Sequence, residues 1–137
     1  MLRPETRTRA RALQLLYAWE VQQRPPMRQV ADGLLRQHPE WDRAVAAAES
    51  LAAAVAADVA RLDGEIERAA HNWRLERIGT VEQNILRLAL YELSTGDVPP
   101  RVAISEAVRL AHWFAGSKAP SFVNGVLDAV ARQVGRL

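Results

Sequence analysis

Residues 80–95 read TVEQNILRLALYELST, and this stretch decides the fold. Its apolar side chains have helical spacing but occupy nearly every side of the helix instead of one stripe. We therefore expect a central, buried helix that opens at Thr80, with other helices packed around it. Gln83, three residues later, predicts a capping box at its start. The expected core positions are Ile85, Leu86, Leu88, Ala89, Leu90 and Leu93.

Two further helices are expected after this central stretch. A turn over 95–97 leads to two prolines that fit the first turn of a sixth helix, and Gly116 ends that helix. A seventh helix is predicted over about 120–133. Gly125 inside it costs about 1 kcal/mol relative to alanine, which predicts that another backbone or a ligand comes close. The expected inward residues include Ala103, Ile104, Ala107, Val108, Ala111 and Phe114, then Val123, Val126, Leu127, Val130 and Val134.

Four helices are expected before the central stretch. Prolines at 25 and 26 stop the first, and Asp63-Gly64 is read as a break with Asp63 as the N-cap of the fourth. The predicted ranges are about 4–23, 27–37 and an alanine-rich 40–62, followed by a fourth helix with Ile66, Ala69, Ala70 and Trp73 inward.

Composition agrees with an all-α protein. The 137 residues include 24 Ala, against 7 Gly and 7 Pro, and their number suits one domain over 1–137. No run of about 18 uncharged apolar residues predicts a membrane span, and no apolar segment follows the N-terminal arginines as a secretory signal would. We expect a cytoplasmic protein. The absence of cysteine excludes disulfides and thiol catalysis.

Catalytic chemistry has little support in the sequence. The three histidines are scattered without metal-ligand spacing, and no nucleotide-binding glycine motif or serine nucleophile motif is present. We therefore expect no enzyme activity, no metal and no cofactor.

The first helix carries a basic seam. Residues 1–28 have a net charge of +4, although the whole chain has only +2. The seam consists of Arg3, Arg7, Arg11, Gln14 and Ala18, spaced by three or four residues. Charge at one end suggests contact with an anionic partner, but on charge alone a solvated helix face is the favoured explanation.

Two residues of the same helix are ambiguous. Arg9 falls near Leu13 and Leu16 on the helical wheel, so it either reaches past the end of the core or is paired. Tyr17 shares a broad face with Leu13, Leu16 and Val21, and a phenol there usually packs in the core. Beside the arginines, Tyr17 could instead contact a nucleic acid.

A second candidate site lies at the start of the seventh helix. Lys118, Ser121, Phe122 and Asn124 gather there, where free backbone N–H groups suit a phosphate. Phe122 could stack on a base, and the Asn124 amide could bond to base edges. The structural alternative places Phe122 in the core and makes Asn124 a cap or turn residue.

Several strings in the chain have a family resemblance. The arginine-rich start runs into ALQLLY at 12–17, and VEQNILRLALYEL occupies 81–93. VAISEAV follows at 102–108, and FVNGVLD closes the set at 122–128. In this order they resemble the NusB family of bacterial transcription antitermination factors. The last string, with LALYEL, is the most specific part of the resemblance.

The resemblance implies an all-α fold of about seven helices in two packed sub-bundles. It implies binding to the boxA element of nascent ribosomal RNA together with the ribosomal protein NusE. NusA, NusG and RNA polymerase are the implied partners in a larger complex that suppresses termination. By motif match, Arg7, Arg9, Tyr17 and Phe122 lie near the RNA and Glu82 near the RNA and NusE. Asn124 and Asp128 match as well, although both also fit structural roles.

One departure from the family pattern concerns charge. The family usually has Asp-Ser shortly before FVNG, where this chain has Lys118-Ala119. A base in place of an acid beside a proposed RNA surface predicts slightly tighter and less selective RNA binding.

Two other functions remain as alternatives. NusB-like domains precede ribosomal RNA cytosine methyltransferases, but this chain ends at Leu137 without a cofactor-binding α/β domain. A helical protein-interaction module without RNA affinity is the other alternative. A homodimer that covers the arginine seam would compete with RNA, and the sequence does not decide between monomer and dimer.

Overall fold

A computed structural model describes residues 3–42, 45–70 and 78–133. These ranges contain seven α-helices, one short 3-10 helix and no strand, which confirms the all-α prediction. The helices are α1 Pro4–Val21, α2 Met27–Gln37, α3 Val45–Ala57, α4 Val59–Ala69, α5 Thr80–Thr95, α6 Pro100–Phe114 and α7 Ala119–Gln133, and the 3-10 helix is Pro39–Trp41. Two expected core residues, Trp73 and Val134, lie outside the described residues. Within those residues, no helix is long and apolar enough to cross a membrane.

The helices form two compact units, α1 to α3 and α4 to α7, divided between Ala57 and Asp58. In the first unit, α1 packs against α2 and α3. Pro4 occupies its first turn, where no backbone donor is needed. It ends before Gln23 and Arg24, whose φ angles of 66° and 63° lie in the left-handed region. On α3, buried alanines leave room for the large side chains of α1.

In the second unit, α5 packs against α4, α6 and α7. Every residue from Asn84 to Leu90 is buried, which confirms that this helix is central. It ends at Gly96, whose φ of 76° is a left-handed conformation that glycine adopts without steric cost.

A buried charge connects α4 to α5. The side chain of Arg87 is only 2% exposed, and its Nε and Nη2 donate to Oδ1 and Oδ2 of Asp63 at 2.7 and 2.9 Å. Its Nη1 donates to Oδ1 of Asn84 at 3.0 Å, and Asn84 in turn donates to the Thr80 carbonyl. A forked carboxylate pair of this kind satisfies a guanidinium that the surrounding leucines cannot solvate.

This pair explains why the predicted break at Asp63-Gly64 is wrong. Asp63 lies in the middle of α4, and the chain breaks at Asp58 instead. The long helix predicted over 40–62 is therefore divided into the 3-10 helix, α3 and the start of α4. Asp58 pairs with Arg61, whose hydrogen bond lowers the pKa of the Asp58 carboxyl.

Three smaller expectations are also corrected. Thr80 is the first residue of α5 and Gly79 is its N-cap without a side-chain cap bond, so the capping box is wrong. Gln83 instead donates to the Ile78 carbonyl at 2.7 Å. Val21 and Phe114, both expected inward, are exposed, and each is the last residue of its helix, where fewer helices pack against it.

We predict that Asp63→Ala lowers the free energy of unfolding by about 3–5 kcal/mol, because it leaves Arg87 buried without its counter-ion. Asp63→Asn should cost less, since its amide oxygen still accepts one hydrogen bond. Chemical denaturation of both variants measures the difference.

The matched control is Asp58→Ala in the same region, whose exposed pair with Arg61 contributes at most about 1 kcal/mol. Equal destabilisation by Asp63→Ala and Asp58→Ala would contradict a structural role for the buried pair.

Candidate nucleic-acid interface

The basic seam of α1 is largely open to solvent. Arg3 and Arg7 are exposed, and neither forms an ion pair with any residue that the structure describes. Arg11 and Gln14 continue the seam and are half-buried. The segment 6–19 contains no Asp or Glu, and Glu5, between Arg3 and Arg7, forms no ion pair with either arginine. The seam therefore presents positive charge that is free to meet an anion.

Arg11 differs from its two neighbours because its side chain already has contacts. Its guanidinium carbon lies 4.1 Å from the ring centroid of Trp41, and Nη1 donates to Oε1 of Gln14 at 3.0 Å. The buried Trp41 ring stacks on His38 at 4.5 Å between centroids. Arg11 thus supports the packing of its unit as well as the charge of the seam.

The structure separates Arg9 from the seam. Arg9 is 8% exposed, it has an interaction partner, and it lies on the packed side of α1. Burial favours a packing role over direct RNA contact.

Tyr17 behaves in the opposite way. Its side chain is 45% exposed, so the core interpretation of the phenol is wrong and its ring is available to a ligand.

The second candidate site lies at the turn into α7. Lys118 is exposed one residue before the helix, and its carbonyl accepts a hydrogen bond from the Phe122 N–H at 3.4 Å. Phe122 is half-buried and has an interaction partner, so its ring is partly committed to the fold. The Lys118 ammonium group is available to an anion, since it pairs with none of the described residues.

Asn124 is exposed and lines a groove between α6 and α7 of about 470 Å³. Ser105 and Arg101 border the groove on α6, and Asp128 and Arg132 border it on α7. Arg132 lies 2.9 Å from Asp128, whose carboxylate raises the pKa of Arg132. The interpretation of Asn124 as a helix cap is wrong, because the residue lies well inside α7.

Glu82, the predicted partner contact, is half-buried in the first turn of α5. Its carboxylate folds back so closely that a Cβ on Gly79 would stand 2.8 Å from Oε2. An acid in this turn stabilises the positive end of the helix dipole. Glu82 therefore has a structural role in this unit besides any role toward a partner.

Sequence reasoning missed one exposed pair, Trp113 and Phe114, at the end of α6. They are 44% and 39% exposed, although Phe114 has helical spacing with Ala107 and Ala111. The run 107–127 contains no Asp or Glu, and this absence of acidic residues was the sequence signal that could have marked the surface around the pair as a candidate for an anionic partner.

Gly125 is exposed, and a Cβ added there would meet no atom within 4 Å, so the expectation of a close backbone is wrong.

We predict that Gly125→Ala raises the free energy of unfolding by about 0.5–1 kcal/mol, because alanine costs less backbone entropy in a helix. Urea denaturation checks this, and a loss of stability would reveal a contact that the fold does not show. Gly64→Ala is the comparison variant, because Gly64 also lies within a helix but a Cβ added there would lie 3.5 Å from Nη1 of Arg68.

Comparison with known proteins identifies the family. The family model of the NusB family matches residues 6–132. The transcription antitermination protein NusB of Solibacter usitatus is 40% identical over 132 residues, which cover 93% of this chain and 88% of that protein. The NusB of an Anaeromyxobacter species is 41% identical over 130 residues, with 92% and 88% covered.

Solved structures agree with this assignment. T. maritima NusB superposes with a TM-score of 0.83 at 30% identity, covering 97% of this chain and 94% of that one. NusB in a crystal structure of the antitermination factors NusB and NusE with double-stranded RNA gives 0.82 at 27% identity, covering 97% and 99%. The chain belongs to the NusB family of transcription antitermination proteins.

Proposed function

We propose that this protein binds the boxA element of nascent ribosomal RNA together with the ribosomal protein NusE. The observation that carries the proposal is the exposed seam of α1, where Arg3 and Arg7 have no ion-pair partner among the described residues. A NusB with NusE and RNA in one complex supports it by similarity. In this proposal the protein acts in the cytoplasm, with NusA, NusG and RNA polymerase, to suppress termination, and it catalyses no reaction.

Each unit contributes one RNA-binding segment in this proposal. In the first unit, Arg3, the N-cap of α1, and Arg7 contact phosphates and Tyr17 stacks on a base. At the start of α7, Lys118 supplies charge and Asn124 bonds to a base edge. Recognition of single-stranded RNA uses this combination of backbone charge, stacking and polar contacts. Arg9 is left out because it is buried, and Phe122 contributes only the exposed part of its ring.

In this proposal NusE supplies RNA contacts that the small net charge of this chain does not. A net charge of +2 supports few phosphate contacts, so binding by this protein alone should be weak and salt-sensitive. A partner that binds the same RNA adds contacts without requiring more charge here. Glu82 is the residue that we assign to the NusE side, where its carboxylate could pair with a basic group.

Fluorescence anisotropy of a labelled boxA RNA and a scrambled RNA, with and without NusE, tests the function. We expect a preference for boxA that becomes stronger when NusE is present. Equal binding of both RNAs in both conditions would contradict the proposal. Sedimentation at high protein concentration without RNA tests the alternative of a homodimer.

We predict that Arg3→Ala with Arg7→Ala lowers RNA affinity on the order of tenfold at moderate salt. For single strands, the log–log salt slope should shrink by up to about 0.7 for each phosphate that the variant no longer neutralises. Arg11 is left unchanged because its loss would also disturb Trp41. Arg36→Ala is the matched control, since Arg36 is exposed in the same unit and has no ion pair among the described residues. An unchanged slope in the double variant would exclude the seam from RNA contact.

Lys118→Asp should weaken RNA binding, reduce the salt slope and increase the preference for boxA over scrambled RNA, because it replaces a phosphate-attracting charge by a repelling one. Lys118→Gln removes the charge without reversing it and should give an intermediate effect. Anisotropy titrations at several salt concentrations measure both variants, and unchanged affinity and slope would contradict a role for Lys118.

A further inference from the structure

An aromatic pair at the end of α6 lies outside the proposed RNA contacts of α1 and α7. Trp113 and Phe114 are neighbours with ring centroids 6.5 Å apart and an interplanar angle of 79°. Both are exposed, at 44% and 39%. The other large apolar side chains exposed in the described part of the chain are Tyr17, Val21 and Val102. Two adjacent exposed aromatic rings form a contiguous apolar patch, and tryptophan is enriched at binding surfaces.

Arg109 gives this patch a charged border. Its guanidinium carbon lies 5.9 Å from the Trp113 ring centroid, and its Nε lies 3.5 Å from a carboxylate oxygen of Glu106. Glu106 is buried, whereas the Arg109 side chain is 48% exposed. The arginine is thus held beside the indole with half of its surface open to solvent, an arrangement suited to a phosphate next to a stacked base.

The charge of the surrounding sequence favours an anionic partner. No Asp or Glu occurs over 107–127, and the charged residues of this run are Arg109 and Lys118. An RNA strand avoids like-charge repulsion here.

The patch is also close to the proposed RNA segment of the same unit. Phe114 precedes Lys118 by four residues, so their Cα atoms are at most about 14 Å apart. An RNA strand that contacts Lys118 therefore needs to extend only a short distance to reach the two rings.

We propose that Trp113 and Phe114 form a stacking platform for unpaired bases of the bound RNA, with Arg109 contacting an adjacent phosphate. The inference rests on the proposed RNA-binding function and adds a binding surface to it. Single-stranded RNA is the committed ligand, because bases inside a duplex are already stacked on one another. Every base has a π-face, so the platform adds affinity with little sequence preference.

The experiment measures anisotropy with an unstructured boxA RNA that extends beyond the element, at several salt concentrations. Trp113→Ala should weaken binding roughly 5- to 100-fold, the range for loss of one base stack. The salt slope should change little, because Glu106 still holds Arg109 and the substitution removes no cation. Trp113→Phe keeps an aromatic ring and should retain most of the affinity. Val102→Ala, equally exposed on the same helix, should have no effect.

The outcomes separate this inference from the proposed function. Normal affinity of Trp113→Ala, in a protein whose binding still depends on Arg3 and Arg7, would overturn the platform alone. RNA binding by neither the parent nor the variants would overturn the proposed function and the platform together. A variant that loses affinity for NusE but keeps full affinity for RNA would overturn the platform in favour of a protein interface.

Discussion

The second unit of this protein depends on one buried ion pair. Arg87 stands in the middle of α5, where its neighbours are leucines, and a guanidinium cannot remain there without a counter-ion. Asp63 supplies that counter-ion from α4, and its two oxygens meet the guanidinium side by side. The pair joins α4 to α5 at a point inside the continuous helix Val59–Ala69. The mostly apolar remainder of α5 packs against α6, which carries the aromatic pair, and α7, which carries Asn124 and directly follows Lys118.

Arginine and tryptophan occur together throughout the described part of the chain. Arg24 lies 4.7 Å from the ring centroid of Trp19, Arg11 lies 4.1 Å from that of Trp41, and Arg109 lies 5.9 Å from that of Trp113. The first two rings are buried, so their arginines cover the edge of a core. The third ring is exposed, so its arginine covers no core. The same pairing therefore stabilises packing in the first unit and leaves a ligand-accessible surface in the second.

Charge placement, more than total charge, suits this chain to RNA. The net charge is small, but the runs 6–19 and 107–127 contain no carboxylate. Several acidic residues elsewhere are paired with arginines, as in the pairs of Asp58 with Arg61 and of Asp128 with Arg132. Local positive potential can thus persist on a protein that is nearly neutral overall.

The sequence alone determined the helical class, the central position of α5, the ends of α1 and α2, and the family. Each of these depends on local periodicity, on proline or on a contiguous motif, and such signals need no knowledge of distant residues. The basic seam was also predictable, because arginines spaced by four residues lie on one face of an α-helix. Tertiary structure decided what depends on a distant partner. Aspartate is a residue type that favours helix N-caps, but Asp63 lies inside α4, where it pairs with Arg87, 24 residues away. Arg9 lies among arginines in sequence but is buried, whereas Tyr17 and Phe114 have core spacing but are exposed. Helical spacing tells which residues share a face, and only the packed neighbours decide whether that face is covered.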